Sequence, residues 1–186
     1  MEWMPDLKFG LLNGWIALAA LSLTDGLLFA IFPKEVVKRL FDRSGWSQKQ
    51  VLFTVLGKVC ALGCITLLIF TPLKIGSSVF FIGAVITTLG LIGVISALVT
   101  FRSTPLGEPV TRGLYRVSRH PQTVMAALVL LGGCIGIGSW PAVLVLLAAR
   151  GISHFSLLAE EEKCLAQYGS SYREYLDEVP RYFFFF

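Results

Sequence analysis

Residues 77–100, SSVFFIGAVITTLGLIGVISALVT, carry no charged side chain. A helix of roughly 20 residues spans the ~30 Å hydrocarbon core of a bilayer. Inside that core the backbone must satisfy its own hydrogen bonds, so a run of this kind folds as a helix. The strict alternation of a membrane β-barrel strand is missing from it. Working outward, three further apolar runs appear. Leu11 to Phe32 ends at Pro33. Val51 to Thr71 ends at the tight link Pro72-Leu73-Lys74-Ile75-Gly76. Gln122 to Leu158 is too long for one crossing and is interrupted at Gly136-Ile137-Gly138-Ser139-Trp140-Pro141. Glycine and proline mark turns, so this last run reads as a helical hairpin. The expectation is an all-α polytopic membrane protein of about five transmembrane helices, with a C-terminal hairpin and a cytosolic tail.

Composition agrees. The 186-residue chain is 55% hydrophobic and 15% charged, with mean hydropathy +0.72. Soluble domains are about 45–50% apolar and about 25% charged. No polar linker separates two cores, so residues 1–186 read as a single membrane domain. Residues 1–100 supply three N-terminal spans, and 101–186 supply a polar loop, the hairpin and the tail. The N-terminus lacks the basic start of a cleaved signal peptide, since Glu2 and Asp6 stand there.

The net charge is +4 and the pI about 9.0. The basic residues flank apolar runs, which argues for topology signals and lipid headgroups and against a nucleic-acid partner. Lys34, Lys38, Arg39, Arg43 and Lys49 lie in one loop, and Arg102, Arg112, Arg116 and Arg119 in or beside another. The opposite side holds only Lys8 and Lys74. The positive-inside rule then puts the N-terminus outside and the C-terminus in the cytosol. Val36, Val37, Leu40 and Phe41 interleave with the charges of the first basic loop at helical spacing, as in an interfacial amphipathic helix. Cys60, Cys64, Cys134 and Cys164 lack ligand spacing and read as packing residues, so no metal is expected.

Charge inside a span is costly and marks candidate sites. Asp25 and Lys58 fall at similar depth, which suggests an ion pair between the first two spans. Arg150 and His154 lie one turn apart on the inner half of the fifth span and share a face. Two inner-side clusters complete the set. The first, Thr111-Arg112-Gly113-Leu114-Tyr115-Arg116-Val117-Ser118-Arg119-His120-Pro121, runs straight into the fourth span. Pro121 suits a first helical turn, which puts His120 at the cap beside free N–H groups and the positive end of a helix dipole. The second holds Glu160-Glu161-Glu162, Tyr168-Gly169, Tyr172, Tyr175 and Val179-Pro180-Arg181.

Taken in order, Gly113, Tyr115, Arg119-His120-Pro121, an apolar hairpin, Glu160-Glu161, Tyr168-Gly169, Tyr172, Tyr175 and Pro180-Arg181 resemble the isoprenylcysteine carboxyl methyltransferase and phospholipid methyltransferase superfamily. The resemblance covers about residues 103–182. Thr123 stands where that family commonly has an aromatic residue, and Cys164 where it usually has leucine. The resemblance implies S-adenosylmethionine as methyl donor, held at the cytosolic face by Tyr115, Arg119, His120, Pro121, Gln122, Glu160 and Glu161. It implies a lipophilic acceptor entering from the bilayer: a prenylcysteine carboxylate, a phospholipid amine or similar. Arg150 is the candidate for orienting an acceptor carboxylate or phosphate. His154 is the candidate base for an amine or thiol. Two other readings stand beside this one, an NADPH-dependent sterol-type reductase and a non-enzymatic binding protein of the same fold. The terminal Phe183 to Phe186 run is expected to dock in the membrane interface, where aromatics are favoured.

The topology has a direct test. In a cysteine-free background, cysteines introduced at Ser47 and at Ser170 should label from the same side of the membrane. Labelling from opposite sides refutes five spans.

Overall fold

A computed structural model describes residues 1–183. The Phe184–Phe186 part of the terminal aromatic run lies outside the described residues. The fold is all-α: α1 Trp15–Ile31, α2 Lys34–Leu40, α3 Gln48–Phe70, α4 Ser78–Ser103, α5 Pro121–Gly136, α6 Trp140–Tyr168 and α7 Ser170–Glu178, with a 3-10 turn at Gly113–Arg116. Three of these, α3, α4 and α6, are long and apolar enough to cross a membrane. The apolar helices α1 and α5 are shorter, 17 and 16 residues. At 1.5 Å per residue each is about 25 Å long.

Local chemistry sets the boundaries. The first apolar run begins at Leu11, yet α1 begins only at Trp15, because the preceding chain is engaged elsewhere. Asn13 is 2% exposed and donates its side-chain amide to the carbonyls of Lys8 and Ile69, at 2.6 and 2.8 Å. Ser47 and Gln50 form a reciprocal capping box that starts α3 inside the polar loop. Ser77 and Ser139 cap α4 and α6. The last long helix runs about ten residues beyond the expected end at Leu158, through the glutamates to Tyr168. Glu, Lys, Leu, Ala and Gln are good helix formers, and leaving the hydrocarbon does not stop a helix.

Packing is dominated by two helix pairs, α4 with α5 and α3 with α6, with α1 against α5. Glycines permit the first. A Cβ on Gly90 would lie 2.8 Å from the Val129 amide nitrogen and 2.9 Å from the Met125 carbonyl oxygen. One on Gly132 would lie 2.5 Å from the Gly83 carbonyl oxygen. Small residues that let backbones approach are a principal source of helix association in lipid, where hydrophobicity does not favour one partner over the solvent. In the second pair, Thr54 and Ser156 share a 2.8 Å hydroxyl hydrogen bond and Phe53 stacks on Phe155 at 4.4 Å.

The connections sort to two ends. At one end, Glu2 bonds Lys74 at 2.8 Å, its backbone pairs with Gly138 and Trp140, and Trp3 stacks on Trp140. At the other lie α2, the 104–120 segment, the end of α6 and α7. There Lys163 pairs with Asp42 at 2.6 Å and Gln50 donates to Glu162 at 2.7 Å. The Lys163 hydrogen bond, helped by the Ser44 amide, holds the Asp42 carboxyl below the usual carboxylate range.

The expected Asp25–Lys58 pair is not formed. Neither residue has the other as a hydrogen-bond or ion-pair partner. The rotation of α3 accounts for this: Gly57, Cys64 and Leu68 face inward and Lys58 is exposed. An exposed lysine there can extend its stem along the helix toward the polar interface.

The glycine contacts give a stability test. Gly90→Ala and Gly132→Ala should each destabilise the protein by about 1–3 kcal/mol, the usual cost of overpacking. Gly26→Ala, where a Cβ meets nothing within 4 Å, should cost nothing. Thermal melts in detergent would separate the two classes.

Candidate functional site

The polar end of the bundle is organised around the start of α5. His120 is its N-cap and Pro121 its first residue. Upstream, Gly113 turns the chain with φ +58°, and a Cβ there would meet the Thr100 hydroxyl at 2.9 Å. That turn tucks Tyr115 into the interior at 7% exposure. Tyr175 of α7 then donates its hydroxyl to the Tyr115 carbonyl at 2.7 Å. Burial pushes the phenols of Tyr115, Tyr172 and Tyr175 well above the usual tyrosine range, so all three stay neutral.

The C-terminal segment closes against this loop. The Arg119 amide donates to Pro180 O at 3.0 Å, its Nε to Val179 O at 2.6 Å, and the Ser118 hydroxyl to Arg181 O at 2.9 Å. Glu161 of α6 is the common acceptor. Arg119 Nη1 reaches its Oε2 at 3.1 Å and His120 Nε2 lies 3.1 Å from its Oε1. Arg181 grips both oxygens, at 2.9 and 2.7 Å. Arg–carboxylate forks of this kind combine charge with fixed direction. Glu160 faces another way: its side chain is 48% exposed and its Oε2 is 3.6 Å from His120 Nδ1.

Above this cluster lies a cavity of about 660 Å³. Small-molecule sites usually measure about 300–1,000 Å³. Tyr115, Arg119, His120, Gln122, Glu160 and Arg150 all line it. Of the residues expected from the sequence to form the site, Glu161 and Pro121 are not among its lining. They stand behind it, one as the shared acceptor and one at the helix start. His154 is not among the lining either. Its Nδ1 is 2.8 Å from the Tyr182 hydroxyl, which ties the C-terminal segment to α6. Two polar atoms on the lining are buried without a partner, Gln122 Nε2 and Arg150 Nε. Buried donors are normally paired, which makes these two atoms exceptions among the cavity's polar groups.

Sequence reasoning missed the contribution of α2. Arg39 donates to the carbonyls of Pro105 and Glu108, at 3.0 and 2.6 Å, and to the Tyr168 hydroxyl at 3.1 Å. It also stands 5.0 Å from the Phe101 ring centroid. It thus fastens the amphipathic helix and the 104–108 loop beside the cavity. The available signal was an arginine interleaved with apolar residues, which a topology reading absorbed. Among the described residues no cluster of His, Cys, Asp and Glu side chains could hold a metal ion.

A family model of phospholipid methyltransferases matches residues 73–171. The chain belongs to the phospholipid methyltransferase family. The match spans more than half of it, from the link before α4 to the start of α7, and includes the Arg119-His120-Pro121 loop, the interrupted apolar region and both glutamates. No curated protein matches the chain significantly. Within this phospholipid methyltransferase family member, the Arg181 that grips Glu161 lies beyond the matched stretch.

The two adjacent glutamates should therefore part company. Removing one member of a buried ion pair costs about 3–5 kcal/mol, because the remaining charge is left unpaired. Glu161→Gln should lower the melting temperature strongly, whereas Glu160→Gln should leave it near wild type. Equal melting shifts would contradict the assignment of Glu161 as the shared acceptor.

Proposed function

We propose that this protein transfers the methyl group of S-adenosylmethionine to a lipophilic acceptor drawn from the bilayer. Membership of the phospholipid methyltransferase family implies the donor. The observation that carries the reading to these residues is the cavity itself: a carboxylate, an aromatic ring, an imidazole and an unpartnered amide donor converge beside a helix start. Those groups fit the parts of S-adenosylmethionine. Glu160 would take its ammonium, the His120–Gln122 helix start and Arg119 its carboxylate, and Tyr115 would pack on the adenosine. When bound, the donor supplies an electrophilic methyl on a sulfonium.

The chain's own contribution is alignment and exclusion of water. Good positioning alone accounts for roughly 7–11 kcal/mol of a barrier. Glu161, bound to Arg119, His120 and Arg181, holds the loop that would orient the donor. Arg150, with its Nε unpartnered, would orient an anionic or carbonyl oxygen of the acceptor. His154 is engaged with Tyr182, so it acts in this reading by fixing the C-terminal segment. In the membrane, α1, α3, α4, α5 and α6 make five crossings of one domain comprising residues 1–186. The α5–α6 hairpin returns both polar clusters to the cytosolic side, and the N-terminus lies outside. The two shorter helices fit because bilayers thin locally around short spans.

A charge-assisted hydrogen bond contributes about 1.5–3 kcal/mol, equivalent to roughly ten- to hundredfold in affinity. Calorimetric titration in detergent should show wild type binding S-adenosylmethionine and its demethylated product, but not NADPH. Glu160→Gln and His120→Ala should each weaken that binding by about ten- to hundredfold. Binding of NADPH with no binding of either adenosyl compound would replace this reading with a reductase.

A further inference from the structure

The α2 helix lies outside the stretch that matches the family, yet it lines the cavity with Glu35, Lys38, Arg39 and Leu40. Its apolar side packs Val36, Val37 and Leu40 into a cluster with Val94 and Leu98 of α4. Among the described residues, its side-chain hydrogen bonds to the rest of the chain all come from Arg39. Nη1 donates to Pro105 O at 3.0 Å, and Nη2 donates to Glu108 O at 2.6 Å and to the Tyr168 hydroxyl at 3.1 Å. The Phe101 ring centroid stands 5.0 Å from Cζ. These four partners all belong to the matched stretch. The 105–108 turn that Arg39 grips is exposed, and one backbone bond, from Glu108 N–H to Pro105 O at 3.2 Å, closes it. Leu106, Pro109 and Val110 of the same segment also line the cavity.

One guanidinium therefore joins α2, the 105–108 turn and the end of α6 into a single wall. A guanidinium is a planar fork of donors that serves separate acceptors at once, whereas an ammonium is a point charge on a flexible stem. Both terminal nitrogens of Arg39 are already engaged on protein oxygens, so Arg39 acts on a ligand through the wall. Resting on the methyltransferase reading, we propose that Arg39 is a positioning residue that controls passage of the methyl donor and its product between the cavity and the cytosol. It holds α2 and the 105–108 turn together, and donor and product pass when this fastening opens. Opening and closing of such segments often sets the rate of product release. The kinetics separate a fastening from a donor ligand. A loosened wall speeds entry and exit alike and leaves affinity nearly unchanged. A lost ligand contact speeds exit alone and weakens affinity by the same factor.

The test compares full-length wild type, Arg39→Lys and Arg39→Gln in detergent. Association and dissociation of tritiated S-adenosylhomocysteine are followed by rapid filtration. Hydrogen–deuterium exchange of the ligand-free proteins is read at residues 104–110. Both variants should bind and release S-adenosylhomocysteine at least about tenfold faster than wild type, the effect of losing one charge-assisted hydrogen bond or more, with Kd within about threefold. Exchange at 104–110 should accelerate in both. Arg39→Lys is the stringent arm, because it keeps the charge and the aliphatic stem. Wild-type rates in Arg39→Lys overturn the proposal. So does unchanged exchange at 104–110. So does faster release with unchanged association and an equal loss of affinity, which would make Arg39 a donor ligand. Failure of wild type to bind S-adenosylhomocysteine defeats the methyltransferase reading and the proposal with it, whereas wild-type binding with unaltered rates in the variants defeats the proposal alone.

Discussion

One carboxylate holds the polar end of this protein together. Glu161, buried at 6% exposure, faces Arg119 and His120 from the loop before α5 and Arg181 from the segment after α7. Each of those groups is costly to bury alone, and the ion pairs recover that cost only because the geometry is complete. Arg119 brings the loop before α5, and Arg181 brings the segment after α7. Through them the backbone pairs at Arg119–Pro180 and Ser118–Arg181 are registered. With those in place, His120 and Glu160 present their remaining edges to the cavity.

The helical bundle provides the fixed frame for this cluster. The α4–α5 contact is close enough that backbone meets backbone at Gly83, Gly90 and Gly132. That contact sets the height at which Pro121 begins α5, and so the height of His120. The α3–α6 contact does the same for Glu160 and Glu161, which lie where α6 continues past its apolar stretch. Two rigid helix pairs therefore bring the two halves of the polar site together, and Glu161 joins them. Sites built on helices hold their geometry better than sites built on loops.

Much of this was legible in the sequence, for reasons that differ by feature. Apolar runs were readable because hydrocarbon thickness fixes their length. The cap at His120 was readable because Pro121 removes a donor where none is needed. The positions of Glu160 and Glu161 near the loop were readable from the ordered motif. Which glutamate faces the cavity was not, because adjacent helical residues differ by about 100° of rotation that only tertiary packing decides. Rotation also explains Lys58, which lies on the outer face of α3. The role of Arg39 was hidden because its partners lie at Pro105, Glu108 and Tyr168, far along the chain. The engagement of His154 with Tyr182 was hidden in the same way.

The central claim is that Glu161 couples the loop before α5 to the C-terminal segment. Hydrogen–deuterium exchange of wild type and Glu161→Gln in detergent tests it directly, read on peptides covering 114–122, 176–183 and 83–93. The account predicts that exchange accelerates together in the first two peptides, because both lose the same anchor, while the α4 peptide keeps its protection. Wild-type protection in both polar peptides of the variant would contradict it.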